Sequence, residues 1–128
     1  MNLSPTTQQR KPIMKASKSF KFARNKNNKV ALYLRANNAD GIALQLFRAM
    51  KYADKNGIEI SPSRIFADIC SGNKYPRPAF DRLLREKRDK KYQTVLITSP
   101  DRLGRSPESV FMAHLELVSR GIELRVAV

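Results

Sequence analysis

An acid and two arginines follow a short apolar run in the second half of the chain. Asp101, Arg102 and Arg105 come shortly after residues 95–97, with Gly104 between the two arginines. Two arginines three positions apart on one loop can converge on a single anion, and the guanidinium fork suits phosphate oxygens. The pattern therefore predicts an anion site. A solvated loop whose arginines pair with nearby acids is the alternative interpretation.

The surroundings of this loop are typical of a ligand site in an open α/β sheet. The apolar run 95–97 resembles a strand that is covered on both faces. Segment 106–108 then supplies a serine N-cap, a proline at the first helical position and an acid in the first turn. Ligands of such sheets bind at the carboxyl ends of strands and near helix N-termini.

Strand and helix patterns alternate about four times between residue 30 and the end of the chain. This order predicts an α/β fold of three layers, with a mostly parallel central sheet and helices on both faces. We expect strands at 30–35, 95–97 and 122–128, two pieces of a further strand at 58–60 and 64–66, and helices at 42–55, 78–88 and 107–120.

Apolar stripes on the helices predict which side chains face the sheet. The stripe of the first helix consists of Ile42, Leu46, Ala49, Met50 and Ala53. The stripe of the last helix consists of Val110, Phe111, His114, Leu115 and Val118. We therefore expect His114 to be a core or boundary histidine rather than an acid–base group. The charged run 85–91 is expected to be a solvated helix face and end.

Three of the predicted strands lead into polar loops. Because parallel strands end at the same edge of a sheet, we expect the charged side chains of these loops to lie close together. They are Arg35, Asp68, Arg77, Asp101, Arg102 and Arg105. Four of the six are arginines, which favours the anion site over the solvated loop.

Composition narrows the class of protein further. The chain has 128 residues, and none of its apolar stretches approaches the roughly 20 residues that span a membrane. With Cys70 as its single cysteine and one histidine, the sequence supports neither an internal disulfide nor a usual four-ligand zinc site. We expect no metal, no other cofactor and no membrane partner.

The net charge of +14 indicates a polyanionic partner. Residues 1–39 contain nine Lys and Arg residues and no acid, so the beginning of the chain supplies most of the excess. We expect residues 1–28 to form a disordered basic arm. The candidate contacts to that polyanion are Arg10, Lys11, Lys15, Lys18, Lys21, Arg24 and Lys26.

Several segments resemble the catalytic domain of the serine site-specific recombinases, the resolvase/invertase family. Residues 33–35 resemble the first strand of the family, which ends in an arginine, and residues 45–57 resemble its first helix. Residues 68–78 resemble its D-x-x-S-G…R-P segment. The sequence D-R-L-G-R-S at 101–106 matches the family signature at every position. The resemblance covers residues 29–128, which we expect to form the catalytic domain.

The resemblance implies a role for each of these polar residues. In the family, a serine attacks the DNA phosphodiester, forms a phosphoserine link and frees a 3′ hydroxyl, while arginines hold the phosphate oxygens. Arg35, Arg77, Arg102 and Arg105 would hold the scissile phosphate, and Asp101 would orient them. Supporting roles are implied for Gln45, Asp68 and Ser71.

Two departures from the family alter the expected activity. The position of the nucleophile, two residues after Arg35, is Asn37, whose carboxamide has no ionisable hydroxyl. Cys70 and Ser71 are poor substitutes, because in-line attack tolerates little displacement. The sequence also ends at Val128, where the family continues into a dimerisation helix and a DNA-binding domain, so we expect a truncated domain with the basic arm as its non-specific DNA contact.

These observations predict a DNA-binding recombinase domain of the resolvase/invertase type, deficient in cleavage and therefore in site-specific strand exchange. It would act in the cytoplasm on DNA, as a homodimer or as a mixed dimer with an intact recombinase. A non-catalytic regulatory or interaction protein that acts on an intact recombinase is the alternative hypothesis. Active strand exchange remains a third interpretation, which Asn37 disfavours.

Overall fold

The computed structural model describes residues 29–70 and 77–128, which alternate between strands and helices. In chain order the elements are β1 (Lys29–Ala36), α1 (Ala39–Lys55), a 3-10 turn (Pro62–Arg64), β2 (Ile65–Ile69), α2 (Pro78–Arg85), α3 (Lys87–Lys90), β3 (Tyr92–Ile97), a second 3-10 turn (Pro100–Arg102), α4 (Pro107–Ser119) and β4 (Glu123–Val126).

The four strands form one parallel sheet in the order β2–β1–β3–β4. Strand β1 is central and almost entirely buried, as its apolar sequence predicts. Arg35 near the end of β1 pairs in register with Asp68 near the end of β2. The carboxyl ends of β1, β2 and β3 therefore lie at one edge of the sheet, as predicted.

Helices cover both faces of the sheet, which confirms the three-layer α/β prediction. On one face Tyr33 and Val95 of the sheet pack against α2 and α4, through Leu83 and Leu117 among others. On the other face the alternate strand residues, such as Leu32, pack against α1. Because side chains alternate across a strand, β1 contributes to both cores.

Three predicted element boundaries are wrong. Helix α1 begins at Ala39 rather than at residue 42, because the Asn38 side chain caps it and accepts a hydrogen bond from the Gly41 amide at 2.8 Å. Residues 58–60 are not a strand; the second strand is β2 alone, and it includes Asp68, which we expected in a loop. The helix predicted at 78–88 is divided into α2 and α3.

The predicted inward face of α4 is also wrong. Ala113 and Leu117, one turn apart, contact the sheet and are buried, while Phe111 and Leu115 are exposed. His114 is exposed as well, so it is not a core or boundary histidine. Apolar residues occupy more than one side of this helix, and periodicity alone could not determine which side faces the sheet. In α1, Met50 likewise lies partly outside the core.

Several expectations fall outside the described residues. They concern Ser71 and the basic residues of segment 1–28, from Arg10 to Lys26. Within 29–70 and 77–128, no helix has both the length and the hydropathy to cross a membrane. The same residues contain no group of three or more His, Cys, Asp or Glu side chains arranged to hold a metal.

We predict that α4 depends on Leu117 and not on its neighbour Leu115. Replacing the fully buried Leu117 by alanine leaves a cavity between α4 and the sheet and should lower the free energy of unfolding by about 2–5 kcal/mol. Leu115→Ala removes the same atoms from a side chain that is 45% exposed and should cost less than about 1 kcal/mol. Urea unfolding of both variants measures the difference; equal losses would contradict this orientation of α4.

Candidate functional site

Arg35 joins the end of β1 to the loop that follows β3. Its Nε donates to the carbonyl oxygen of Arg102 at 3.1 Å, and its Nη2 donates to those of Asp101 at 2.7 Å and Gly104 at 3.4 Å. Arg35 is only 8% exposed. One buried guanidinium therefore holds three backbone carbonyls of the arginine loop, which we define as residues 99–105.

The backbone of Arg35 is fixed by two other side chains. Its carbonyl oxygen accepts hydrogen bonds from Gln45 Nε2 at 2.6 Å and from Arg102 Nη1 at 2.8 Å. Its amide donates to Gln45 Oε1 at 3.2 Å. The carboxamide of Gln45 is buried and bonded at both ends, so it holds the end of β1 against α1. Arg35 and Arg102 hold each other through reciprocal side-chain-to-backbone bonds.

Asp101 orients Arg102 directly. Its Oδ1 lies 3.3 Å from Arg102 Nε and also accepts a hydrogen bond from the hydroxyl of Ser99. The same Arg102 Nε donates to Ser99 Oγ at 3.3 Å. The Asp101 side chain is 68% exposed, so this ion pair lies at the rim of the site, where it adds little stability but restricts the guanidinium.

Asp68 acts on the site through helix α2. Its carboxylate accepts hydrogen bonds from the backbone amides of Ala79 at 2.8 Å and Phe80 at 3.0 Å, and from the hydroxyl of Tyr33 at 2.7 Å. It therefore caps the N-terminus of α2 from the neighbouring strand, where a negative charge is favoured. Arg77, the residue before α2, is positioned by this contact.

The guanidinium of Arg77 reaches the same loop as Arg35. Its Nη1 donates to the carbonyl oxygen of Leu103, and its Cζ lies 4.7 Å from the centre of the Phe80 ring. Arg77 comes from the α2 side of the edge and Arg35 from β1. The arginine loop is therefore bound from two directions.

Mutual repulsion is the main electrostatic feature of this edge. Burial lowers the pKa of Arg35, and the positive charges of Arg105, then Arg77 and Arg102, lower it further. The other three predicted arginines thus lie close enough to act on Arg35. Since like charges at short range are costly, an anion with several oxygens would relieve this repulsion.

Arg105 stands beside the N-terminus of α4, which is built tightly onto the loop. At Gly104 a Cβ would lie 2.8 Å from the backbone carbon of Ser109, so no larger residue fits without a shift. Ser106 and Ser109 cap the helix reciprocally, with N–O distances of 2.9 and 3.1 Å. Arg105 itself is exposed.

An open groove of about 530 Å³ lies next to the arginine loop. Its lining includes Asp101 and Arg105 of the loop and Phe111 and His114 of α4. Sequence analysis missed the two α4 residues, because it placed both in the core. It also missed Tyr33 as the partner of Asp68, although the two-residue period of a strand puts Tyr33 and Arg35 on the same face.

Asn37 occupies the same edge of the sheet. It is exposed and lies between the end of β1 and the N-cap of α1. Cys70, the single cysteine of the chain, directly follows β2 at this edge. Its amide donates to the carbonyl oxygen of Ala36 at 2.9 Å, and the residue is buried. The burial of Cys70 makes it less accessible than Asn37 to a ligand at the rim.

Comparison with known proteins agrees with this architecture. The family model described as "Resolvase, N terminal domain" matches residues 30–128. The chain belongs to the resolvase family. The resemblance to serine recombinases stated from the sequence is thus confirmed.

Solved structures of serine recombinases superpose on this resolvase-family domain. The N-terminal catalytic domain of TP901-1 integrase is 31% identical, covers 78% of this chain and 77% of that chain, and gives a TM-score of 0.64. A serine recombinase from Sulfolobus solfataricus is 27% identical over 79% and 69% of the two chains, with a TM-score of 0.58. The C-terminal catalytic domain of ISC1926 TnpA, at 22% identity, 78% and 67% coverage and a TM-score of 0.64, shares the fold. Among curated proteins, none matches.

The buried Tyr33–Asp68 pair predicts a specific alkaline destabilisation. Burial, and secondly the hydrogen bond to Asp68, raise the pKa of Tyr33 above its ordinary value. The unfolded chain therefore loses the Tyr33 hydroxyl proton at a lower pH than the folded protein does. The stability that this proton contributes to the fold is complete below about pH 10 and is lost as the pH rises above that value. In Tyr33→Phe, the free energy of unfolding should therefore fall less steeply with pH, by about 1.4 kcal/mol per pH unit.

Urea unfolding of the wild type and of Tyr33→Phe between about pH 9 and 12 measures the two slopes. The variant also loses the hydrogen bond to Asp68, which lowers its stability at every pH and does not affect the comparison of slopes. Parallel curves for the two proteins would contradict the assignment.

Proposed function

We propose that this resolvase-family domain binds the phosphate backbone of DNA through Arg35, Arg77, Arg102 and Arg105, and does not cleave it. The observation that carries the proposal is that Arg35 and Arg77 both donate to carbonyls of the arginine loop, which itself contains Arg102 and Arg105. Burial, and next the positive charge of Arg105, lower the pKa of Arg35 there. One guanidinium group can donate two parallel hydrogen bonds to two oxygens of a phosphate. The arginines lie at the carboxyl ends of the strands, where parallel sheets bind ligands.

Each arginine has its own part in this proposal. Arg35 is buried and uses Nε and Nη2 to hold the loop, so it shapes the site more than it contacts solvent. Arg105 is exposed beside the groove and is the best placed to meet a phosphate first. Arg102 and Arg77 lie between these extremes, and Asp101 keeps Arg102 aimed along the rim.

The proposed loss of cleavage follows from Asn37. In the family reaction a serine oxygen bonds to phosphorus while the bond from phosphorus to the 3′ oxygen breaks. A carboxamide has no hydroxyl proton to release and no comparable nucleophilic oxygen, so the displacement cannot start. The arginines would still stabilise a bound phosphate, because charge stabilisation and covalent attack are separate contributions.

The proposal predicts that one substitution restores covalent chemistry. Nicked duplexes from a random-sequence pool are incubated with the wild type, Asn37→Ser and Asn37→Ala, and covalent protein–DNA adducts are separated under denaturing conditions. We expect an adduct only with Asn37→Ser, because that variant alone places a hydroxyl after Arg35 and Ala36. Arg105→Gln added to Asn37→Ser should reduce the yield by about 100-fold, as for loss of one charge-stabilising group.

An adduct formed by the wild-type chain would overturn the cleavage deficiency. An adduct formed equally by Asn37→Ala would point to another nucleophile, and Cys70 and Ser71 would then be the residues to replace. The absence of an adduct with Asn37→Ser would show that more than the nucleophile has been lost.

Segment 1–28 is part of the proposal only through its charge. Its seven Lys and Arg residues and its lack of acids favour non-specific contact with DNA. This contact would add affinity without sequence preference.

A second candidate function is supported by the exposed apolar face of α4. Phe111, Met112, Leu115 and Val118 are each between 45% and 62% exposed, and four large apolar side chains on one short helix favour a protein contact. The domain would then regulate an intact recombinase of the same family by pairing with it.

This candidate predicts a nuclease-resistant complex. A tagged full chain co-expressed with an intact resolvase-family recombinase should retain that partner after nuclease treatment, because apolar contacts need no DNA. Phe111→Ser together with Val118→Ser should reduce recovery at least about tenfold, while Leu44→Ser with Phe47→Ser on α1 should not. Loss of the partner on nuclease treatment would contradict pairing and leave DNA as the link.

A further inference from the structure

A second basic surface lies at the opposite edge of the sheet from the arginine loop. It is an open groove of about 840 Å³ where α2, α3 and α4 end and β3 begins. We name it the basic groove, and the charged residues that line it are Arg85, Lys87, Arg88, Asp89, Lys91 and Arg120.

The basic groove has more positive charge than its surroundings neutralise. Five cations face a single acid, Asp89. Arg120 is partly offset by Glu116, whose carboxylate lies 3.7 Å away, and the other four cations form no ion pair within the described part of the chain. The carboxyl ends of α2 and α4 add about half a negative charge each, which still leaves an excess of about two positive charges.

Local structure explains only part of this charge. Lys87 Nζ lies 3.6 Å from the point where a Cβ would stand on Gly121. Its positive charge is therefore placed near the negative end of the α4 dipole. Lys91 adopts a left-handed φ of 60°, a conformation that glycine or asparagine adopts more easily. Arg85 and Arg88 are exposed at the rim. Backbone geometry does not account for the positive charges of Arg85, Arg88 and Lys91.

The basic groove and the arginine loop lie at opposite ends of β3 and of α4. Strand β3 begins at the groove with Tyr92 and ends next to the arginine loop with Ile97, so the sites are about 20 Å apart on opposite edges. DNA is stiff over lengths far greater than this, with a persistence length of about 150 base pairs. One straight duplex could reach both only by lying along α4, where the exposed Phe111, Leu115 and Val118 are apolar and offer no charge to phosphates.

We propose that the basic groove binds the phosphate backbone of a second DNA duplex, so that one domain bridges two DNA segments. The choice of DNA as the polyanion rests on the proposed function. The groove presents point charges along an open surface and no apolar pocket for bases, so its contact would be independent of sequence.

The test is a bridging assay with the full chain. The protein is mixed with a biotinylated duplex and a fluorescent duplex of unrelated sequence, and the fluorescent DNA retained on streptavidin is measured over a range of salt concentrations. The groove variant is Arg85→Gln, Arg88→Gln and Lys91→Gln combined. The matched control is Arg48→Gln, Lys51→Gln and Lys55→Gln, which removes three exposed charges from α1.

We expect the groove variant to retain less than about one tenth of the bridged DNA, while the control retains most of it. The slope of the logarithm of the bridging affinity against the logarithm of the salt concentration should also become shallower by about 2 to 3 in the groove variant. This change corresponds to three lost phosphate contacts. Capture of the biotinylated duplex alone should change little, because the arginine loop is intact.

Two other outcomes separate this inference from the proposed function. Equal bridging by the wild type and the groove variant would overturn the basic groove as a DNA site and would assign bridging to segment 1–28 or to protein oligomers. Arg105→Gln should weaken capture of a single duplex. If it does not, the proposed phosphate site fails, whatever the groove variant does. Matching unfolding curves for all variants exclude misfolding as the cause.

Discussion

The structure of the candidate site depends on where one buried charge finds its hydrogen-bond acceptors. Arg35 is at the end of the central strand, and its guanidinium donates to the carbonyl oxygens of Asp101, Arg102 and Gly104. A charge this deeply buried is tolerated only when its donors are satisfied. The arginine loop is therefore required to fold over the end of β1, and the Arg102 side chain, which donates back to the Arg35 carbonyl, becomes part of the same unit.

The rest of the edge is organised around the same loop. Gln45 fixes the backbone on the α1 side, and Asp68 caps α2 so that Arg77 approaches from the other side. Each contact comes from a different secondary-structure element. The arrangement gathers positive charge where the fold provides few acids, which is costly in the free protein and favourable once an anion is bound. That balance is what the proposed DNA contact requires.

Asn37 stands where the proposed mechanism requires a nucleophile. Of the groups that would bind a phosphate, Arg35, Arg77 and Arg102 are held by backbone carbonyls of other residues. In that proposal, Asn37 in place of a serine removes covalent chemistry while the surrounding hydrogen bonds remain, since the Asn38 cap and the Gln45 clamp use other atoms. A binding domain without cleavage is a coherent product of such a change.

The sequence by itself determined the fold class, the family and the residue types of the site. Apolar runs such as 95–97 and the amphipathic helix at the start of the domain report local periodicity, and the D-R-L-G-R-S segment at 101–106 is a local pattern. Only the tertiary structure decided which face of α4 is buried, that Tyr33 bonds Asp68, and that Asp68 acts as a helix cap from a strand. Those features join residues far apart in sequence. They depend on which surfaces pack together, and a periodic pattern with apolar residues on two sides of a helix does not specify that choice.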